Sequence, residues 1–204
     1  MLLCHSLTSP YSRKVRVLLL EKGVAYEDIN VRSSDRKASD HNPLGKVPTV
    51  VLDDGTVLFD SVVITETLDA LFPNPRFIPG TPLERAAVRR WEAIADGISD
   101  VLIPVVTESC RPESKQDVAY QAKLLGKVRA SLRYIELQLN GRRYLHGEGF
   151  SLADIAVVSM AGYVNLRRPD LLREDYPELE RYLREQLQRK SLADTIPPNL
   201  PMMA

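Results

Sequence analysis

Four prolines fall within ten residues in PNPRFIPGTP (73–82), and neither a helix nor a central strand can run through such a segment. Proline lacks the backbone donor, and its ring clashes with the preceding helical turn. The stretch divides the 204-residue chain into parts of different periodicity. Upstream of it, short β-rich runs alternate with helical ones; downstream, to about Lys190, only helical spacing occurs. The predicted organisation is therefore an α/β unit over 1–77 and an all-α unit over 83–204, joined by a linker at about 73–82.

In the first part, LLCHS and AYEDINV read as strands flanking a helix that starts at Ser9-Pro10 and stops at Gly23. Val15, Leu18 and Leu19 form its apolar stripe and Lys22 lies in its last turn. A strand, a crossover helix and a strand of this length predict a parallel pair. RSSDRKASDHNPLG is polar and turn-rich, so it is a surface loop or an irregular helix. VPTVVLDDGTVLF reads as a hairpin turning at Asp-Asp-Gly, and DSVVITETLDALF as a helix capped by Ser61 and running to Phe72. The order β-α-β then β-β-α gives one mixed sheet.

In the second part, Val88, Trp91, Ile94, Ala95, Ile98, Leu102 and Val105 line one helix, with a kink expected at Pro104. Val118, Leu125, Val128, Leu132, Ile135 and Leu139 line the next, which closes at Gly141. FSLADIAVVSMAGYV carries a capping box in Ser151 and Asp154 and a hydrophobic staple in Phe150 and Ile155. The helix it opens is apolar nearly all round, which places it at the centre of the bundle. YPELERYLREQLQ, with Pro177 in its first turn and Leu179, Tyr182, Leu183 and Leu187 inward, is the last predicted helix, and TIPPNLPMMA an irregular tail.

Charge is balanced, 27 Lys and Arg against 27 Asp and Glu, so nothing draws the chain as a whole to nucleic acid or anionic lipid. No apolar run approaches the roughly 20 residues of a membrane span, and MLLCHSLTSPYS lacks the features of a signal peptide; the expectation is a cytoplasmic protein. The two cysteines, Cys4 and Cys110, stand in different segments without metal-ligand spacing, which argues against a disulfide framework and a zinc site.

TSPYSRKVR, NPLGKVPTVV and FDSVVI, in that order and followed by a helical half with a capping box, resemble the glutathione S-transferase family over nearly the whole chain. The likeness is greatest to small bacterial transferases, with some to the zeta and omega classes. It implies a thioredoxin-like N-terminal domain, a C-terminal helical bundle, glutathione as co-substrate, no metal, a small and hydrophobic electrophile, and a homodimer. Where thioredoxin-type proteins carry CxxC, this chain has Ser9-Pro10-Tyr11-Ser12, so an internal dithiol cycle is excluded at the turn. The resemblance implies that the reactive sulfur is that of glutathione.

Ser9 is first of all a helix cap, worth on the order of 1 kcal/mol. Its hydroxyl can accept from a helix amide and still donate its own proton. On the resemblance, Ser9 is the candidate catalytic residue, holding the glutathione thiolate with help from the helix end. Thr8 and Ser12 are rivals, with Ser12 read as a cap or as facing solvent; Tyr11 reads as a packing ring or a substrate contact, Cys4 as buried and inert, and His5 as having no visible partner. X-Pro bonds are ordinarily trans, and only the resemblance implies a structural cis-proline at Pro48. There the backbone of Val47 would pair with the glutathione cysteinyl unit like an added strand. The resemblance likewise gives Asp60 and Ser61 the γ-glutamyl end, although many members have Glu where this chain has Asp60. Arg36 and Lys37 are candidates for the glycyl carboxylate, Val105, Thr107 and Tyr163 for the second-substrate wall, and Arg167 and Arg168 for an acidic substrate. Alternatives are a glutathione-dependent isomerase or peroxidase and a non-catalytic binding or regulatory protein of the same fold.

Overall fold

The computed structural model describes residues 1–31, 41–173 and 176–198. Strands β1 (Leu2–His5), β2 (Glu27–Asn30), β3 (Thr49–Val51) and β4 (Val57–Leu58) form one sheet in the order β2-β1-β3-β4. β1 and β2 are parallel, joined by α1 (Pro10–Lys22), and the pairs β1–β3 and β3–β4 are antiparallel, as the β-α-β-β-β-α pattern requires. α2 (Ser61–Leu71) follows β4. Gly23 closes α1 at φ 63°, a left-handed conformation that costs glycine nothing.

The remainder is helical: α3 (Pro82–Ser109), α4 (Val118–Leu139), α5 (Leu152–Arg167), α6 (Pro177–Gln186) and the short α7 (Lys190–Ala193). α5 is buried from Leu152 to Asn165 and packs against both α1 and α3, which makes it the central rod. Its N-terminus is fixed as the sequence implies. Asp154 accepts from the Ser151 N–H at 2.8 Å, while the Ser151 hydroxyl caps the first turn. Asp154 also accepts from the Leu145 N–H at 2.9 Å and the Tyr182 hydroxyl at 2.8 Å, so one buried carboxylate ties α5 to α6 and to the loop before it.

Several expectations need correction. Val118 opens α4 at the surface, and Leu124, one residue before the expected Leu125, is the buried contact. A further helix, α7, follows the one expected to be last. Within the proline-rich segment Phe77 and Ile78 are buried, and their N–H groups donate to the two carboxylate oxygens of Asp69 at 2.9 and 3.0 Å. Lys22 pairs with the same carboxylate at 2.8 Å and donates to the Pro75 carbonyl at 2.9 Å. Backbone donors that prolines leave stranded thereby find partners.

Two charged residues of α1 enter the core. Arg13, 2% exposed, donates to the Val158 and Leu192 carbonyls at 3.0 Å each and to the Thr195 hydroxyl at 3.3 Å. Burial first, and the Arg16 charge second, lower its guanidinium to about 10, so it stays charged at neutral pH. Lys14, 1% exposed, pairs with Glu92 at 2.8 Å and Asp96 at 2.7 Å on α3. Glu92 pairs also with Arg89, and Arg89 with Glu66 of α2 at 2.8 Å, so a buried ion network stitches the sheet unit to the bundle.

Candidate functional site

The sheet register decides which residues can meet. Cys4 pairs with Thr49, and Val50 with Leu58, so the C-terminal end of β1, the start of β3 and the end of β4 lie at one edge of the sheet. Ser9 follows β1, Val47-Pro48 precedes β3, and Asp60-Ser61 follows β4. All four predicted contact residues and Pro48 therefore gather at that edge. The N-termini of α1 and α2 gather there too, each with its positive dipole end.

Ser9 is the N-cap of α1, half-buried, and its hydroxyl oxygen accepts from the Ser12 N–H at 3.2 Å. Among the described residues its proton has no acceptor. Ser12 is fully buried and accepts from the Ser6 N–H at 3.3 Å, which corrects the expectation of a solvent-facing or capping hydroxyl. Thr8 and Ser6 share a hydroxyl contact at 3.3 Å. His5, expected to be without a partner, is buried and hydrogen-bonded to Asp28 at 2.8 Å. Burial, helped by the Arg16 charge, lowers its imidazole against the opposing pull of Asp28.

The Val47–Pro48 peptide is cis, and so is Phe59–Asp60. Among the described residues nothing bonds to the N–H or carbonyl of Val47. Its approach is fixed by Asn42, which the sequence analysis passed over. Asn42 is buried; its amide donates to the Lys46 carbonyl at 3.0 Å and the Thr49 hydroxyl at 3.3 Å, and its oxygen accepts from the Leu44 N–H at 3.0 Å. An Asn directly before Pro with a donor two residues on is an Asx-turn signal that was legible in HNPLG.

Asp60, not Ser61, caps α2: its carboxylate accepts from the Val62 N–H at 3.0 Å, and Ser61 is the first helical residue, 3% exposed. The carboxylate is exposed and beside the helix end, where negative charge is favoured. Arg36 and Lys37 lie outside the described residues.

Two residues after Ser9, the Tyr11 hydroxyl donates to Asp100 of α3. Burial, the Asp100 hydrogen bond and the carboxylates of Asp100 and Asp96 all push the phenol far above its ordinary value, so it keeps its proton. Tyr163 of α5 lies near enough to add to that shift, and Arg167 one turn on stacks over the Tyr163 ring at 5.7 Å. Thr107 is exposed, but its hydroxyl is returned to the Ile103 carbonyl at 3.0 Å. Val105 is wholly buried in the core, and Arg168 is engaged by Asp170 at 2.7 Å. A separate cavity of about 510 Å³, lined by Arg143, Tyr144, Glu185, Gln186, Gln188 and Arg189, contains none of these groups. Among the described residues no cluster of metal-ligating side chains occurs and no helix is long and apolar enough to cross a membrane.

Residues 8–71 match the family described as Glutathione S-transferase, N-terminal domain, and residues 98–190 match Glutathione S-transferase, C-terminal domain. The chain is 38% identical over 202 residues to the uncharacterized GST-like protein YibF of Escherichia coli, covering 97% of this chain and 99% of that one. It is 30% identical over 188 residues to glutathione S-transferase 2 of Saccharomyces cerevisiae, covering 83% and 80%. Among solved structures, a glutathione S-transferase from Methylobacillus flagellatus with glutathione bound superposes with a TM-score of 0.92 at 44% identity, covering 96% of this chain and 98% of that one. A glutathione transferase family member from Pseudomonas fluorescens, also with glutathione bound, gives 0.87 at 35%, covering 97% and 98%. With its mixed sheet, its helical second half and both halves matched in order, the chain belongs to the glutathione S-transferase family.

Proposed function

We propose that the protein is a glutathione transferase whose Ser9 hydroxyl stabilises the thiolate of bound glutathione for attack on a small electrophile. In this reading Val47 offers its N–H and carbonyl to the cysteinyl backbone, and Asp60, Ser61 and the first turn of α2 receive the γ-glutamyl end. Residues 1–77 form the glutathione-binding domain and 83–204 the helical one. A homodimer in the cytoplasm belongs to the same reading.

The observation that carries it is the gathering of Ser9, Val47, Asp60 and Ser61 at one sheet edge under two helix N-termini, with no acceptor for the Ser9 proton among the described residues. A free thiol titrates near ~8.5, and about 1.4 kcal/mol of preferential thiolate stabilisation lowers it by one unit. One charge-assisted hydrogen bond is of that size. Ser9→Ala should therefore raise the bound thiol by about one unit, read from thiolate ultraviolet absorbance against pH, and depress conjugation across a panel of electrophiles. Turnover of hydroperoxides or isomerisable diacids in the same panel would mark a peroxidase or isomerase instead. Glutathione binding without any turnover would mark a binding protein, and an unmoved thiol in Ser9→Ala would remove Ser9 from the chemistry.

A further inference from the structure

The N-terminal turn of α1 has no acidic residue of its own, yet the fold brings one to it. Asp100 on α3 accepts the Tyr11 hydroxyl proton, and Tyr11 stands two residues after Ser9 in the first turn. The neighbouring carboxylates along α3 are neutralised: Glu92 by Lys14 and Arg89, Asp96 by Lys14. Asp100 has no ion-pair partner among the described residues; its neighbours are the neutral Tyr11 phenol and, one turn back, the Asp96 carboxylate. A negative charge is thus tied, through the Tyr11 side chain, to the first turn of the helix that, under the proposed function, stabilises a thiolate.

Resting on that reading, we infer that Asp100 is a positioning residue that restrains the acidity of the bound glutathione thiol, by its own charge and by holding the Tyr11 phenol away from the sulfur. The groups acting on Tyr11 are Asp100 and Asp96 on α3 and Tyr163 on α5; Lys14 pairs with Asp96, Arg167 stacks on Tyr163, and Asp60 caps the neighbouring α2. Of these, Asp100 and Asp60 are carboxylates without an ion-pair partner among the described residues, and Asp60 lies at the γ-glutamyl end. The restraint has a chemical use. Thiolate nucleophilicity falls as thiol pKa falls, with a Brønsted coefficient of about 0.4–0.5, so the best attacking thiol titrates near ambient pH rather than far below it.

The test is Asp100→Asn, with Asp100→Glu and Tyr11→Phe beside it, each titrated with glutathione by calorimetry and scanned for thiolate absorbance against pH. Asp100 is exposed and the Asn side chain has the same shape, so the fold is not at stake. Asp100→Asn should lower the bound thiol pKa enough to give about three- to tenfold more thiolate at a pH below both values. Asp100→Glu should restore the wild-type titration. Tyr11→Phe, which leaves Asp100 without its donor, should move the thiol the opposite way, upward. An Asp100→Asn chain that binds glutathione with unchanged or raised thiol pKa overturns this inference alone. A wild-type chain that binds no glutathione overturns the proposed function and this with it.

Discussion

Gly162 is the position where a single methyl group tests the junction between the two halves. A Cβ built there falls inside van der Waals contact of Arg13 Nη1 and 3.5 Å from Arg13 Cζ. The end of an arginine is normally free to yield. Here it is buried and held by the Val158 and Leu192 carbonyls, so yielding breaks bonds. Hydrogen bonds from a charged donor contribute about 1.5–3 kcal/mol each. Losing two is offset by roughly 1 kcal/mol for replacing a helix-interior glycine with alanine. Gly162→Ala should therefore destabilise by about 3 kcal/mol, which for a chain of this size lowers the melting temperature by roughly 6–12 °C. The assay is thermal and urea denaturation followed by circular dichroism, on the wild type, Gly162→Ala, Arg13→Met and the pair. In the Arg13→Met background the clashing group is gone and the alanine should return its roughly 1 kcal/mol of helix propensity, leaving a coupling of about 4 kcal/mol. A Gly162→Ala chain as stable as the wild type, or more so, would refute the reasoning, since the clash with Arg13 would then cost no more than helix propensity returns.

Asp154→Ala strands the Leu145 and Ser151 N–H groups and the Tyr182 hydroxyl in the core. At about 1–3 kcal/mol per orphaned donor the loss should be about 4 kcal/mol or more, against about 1 for an ordinary cap; a urea-midpoint loss no larger than that of a cap would contradict it. For His5 the sign follows from its folded imidazole titrating below the ordinary 6.5. The unfolded chain takes up a proton that the folded chain refuses, so this contribution to stability is complete above about pH 6.5, declines as pH falls toward the folded value, and levels off beneath it. Melting temperatures across that window should fall less in His5→Gln than in the wild type, and equal slopes would show that His5 is not responsible.

Periodicity was enough to place most elements, because each apolar stripe is a local record of which face must leave water. The caps at Ser9 and Ser151, the stop at Gly23 and the hairpin at Asp-Asp-Gly are equally local, as their chemistry is complete within a few residues. Asp60 shows where that legibility ends. Asp and Ser are both good caps, and only the backbone decides which of two adjacent residues occupies the extended cap position.

What the sequence by itself determined, then, was the division at the prolines, the order of strands and helices, and the motifs whose partners lie within one turn. Tertiary structure alone decided that Arg13 and Lys14 are core residues, that Phe77 and Ile78 are anchored, and that Tyr11 answers to Asp100. Their partners lie 78 to 182 positions away for the two charges and 89 for the phenol. A charged side chain enters a core only where distant chain supplies its hydrogen bonds and counter-charges, and no local pattern records that supply.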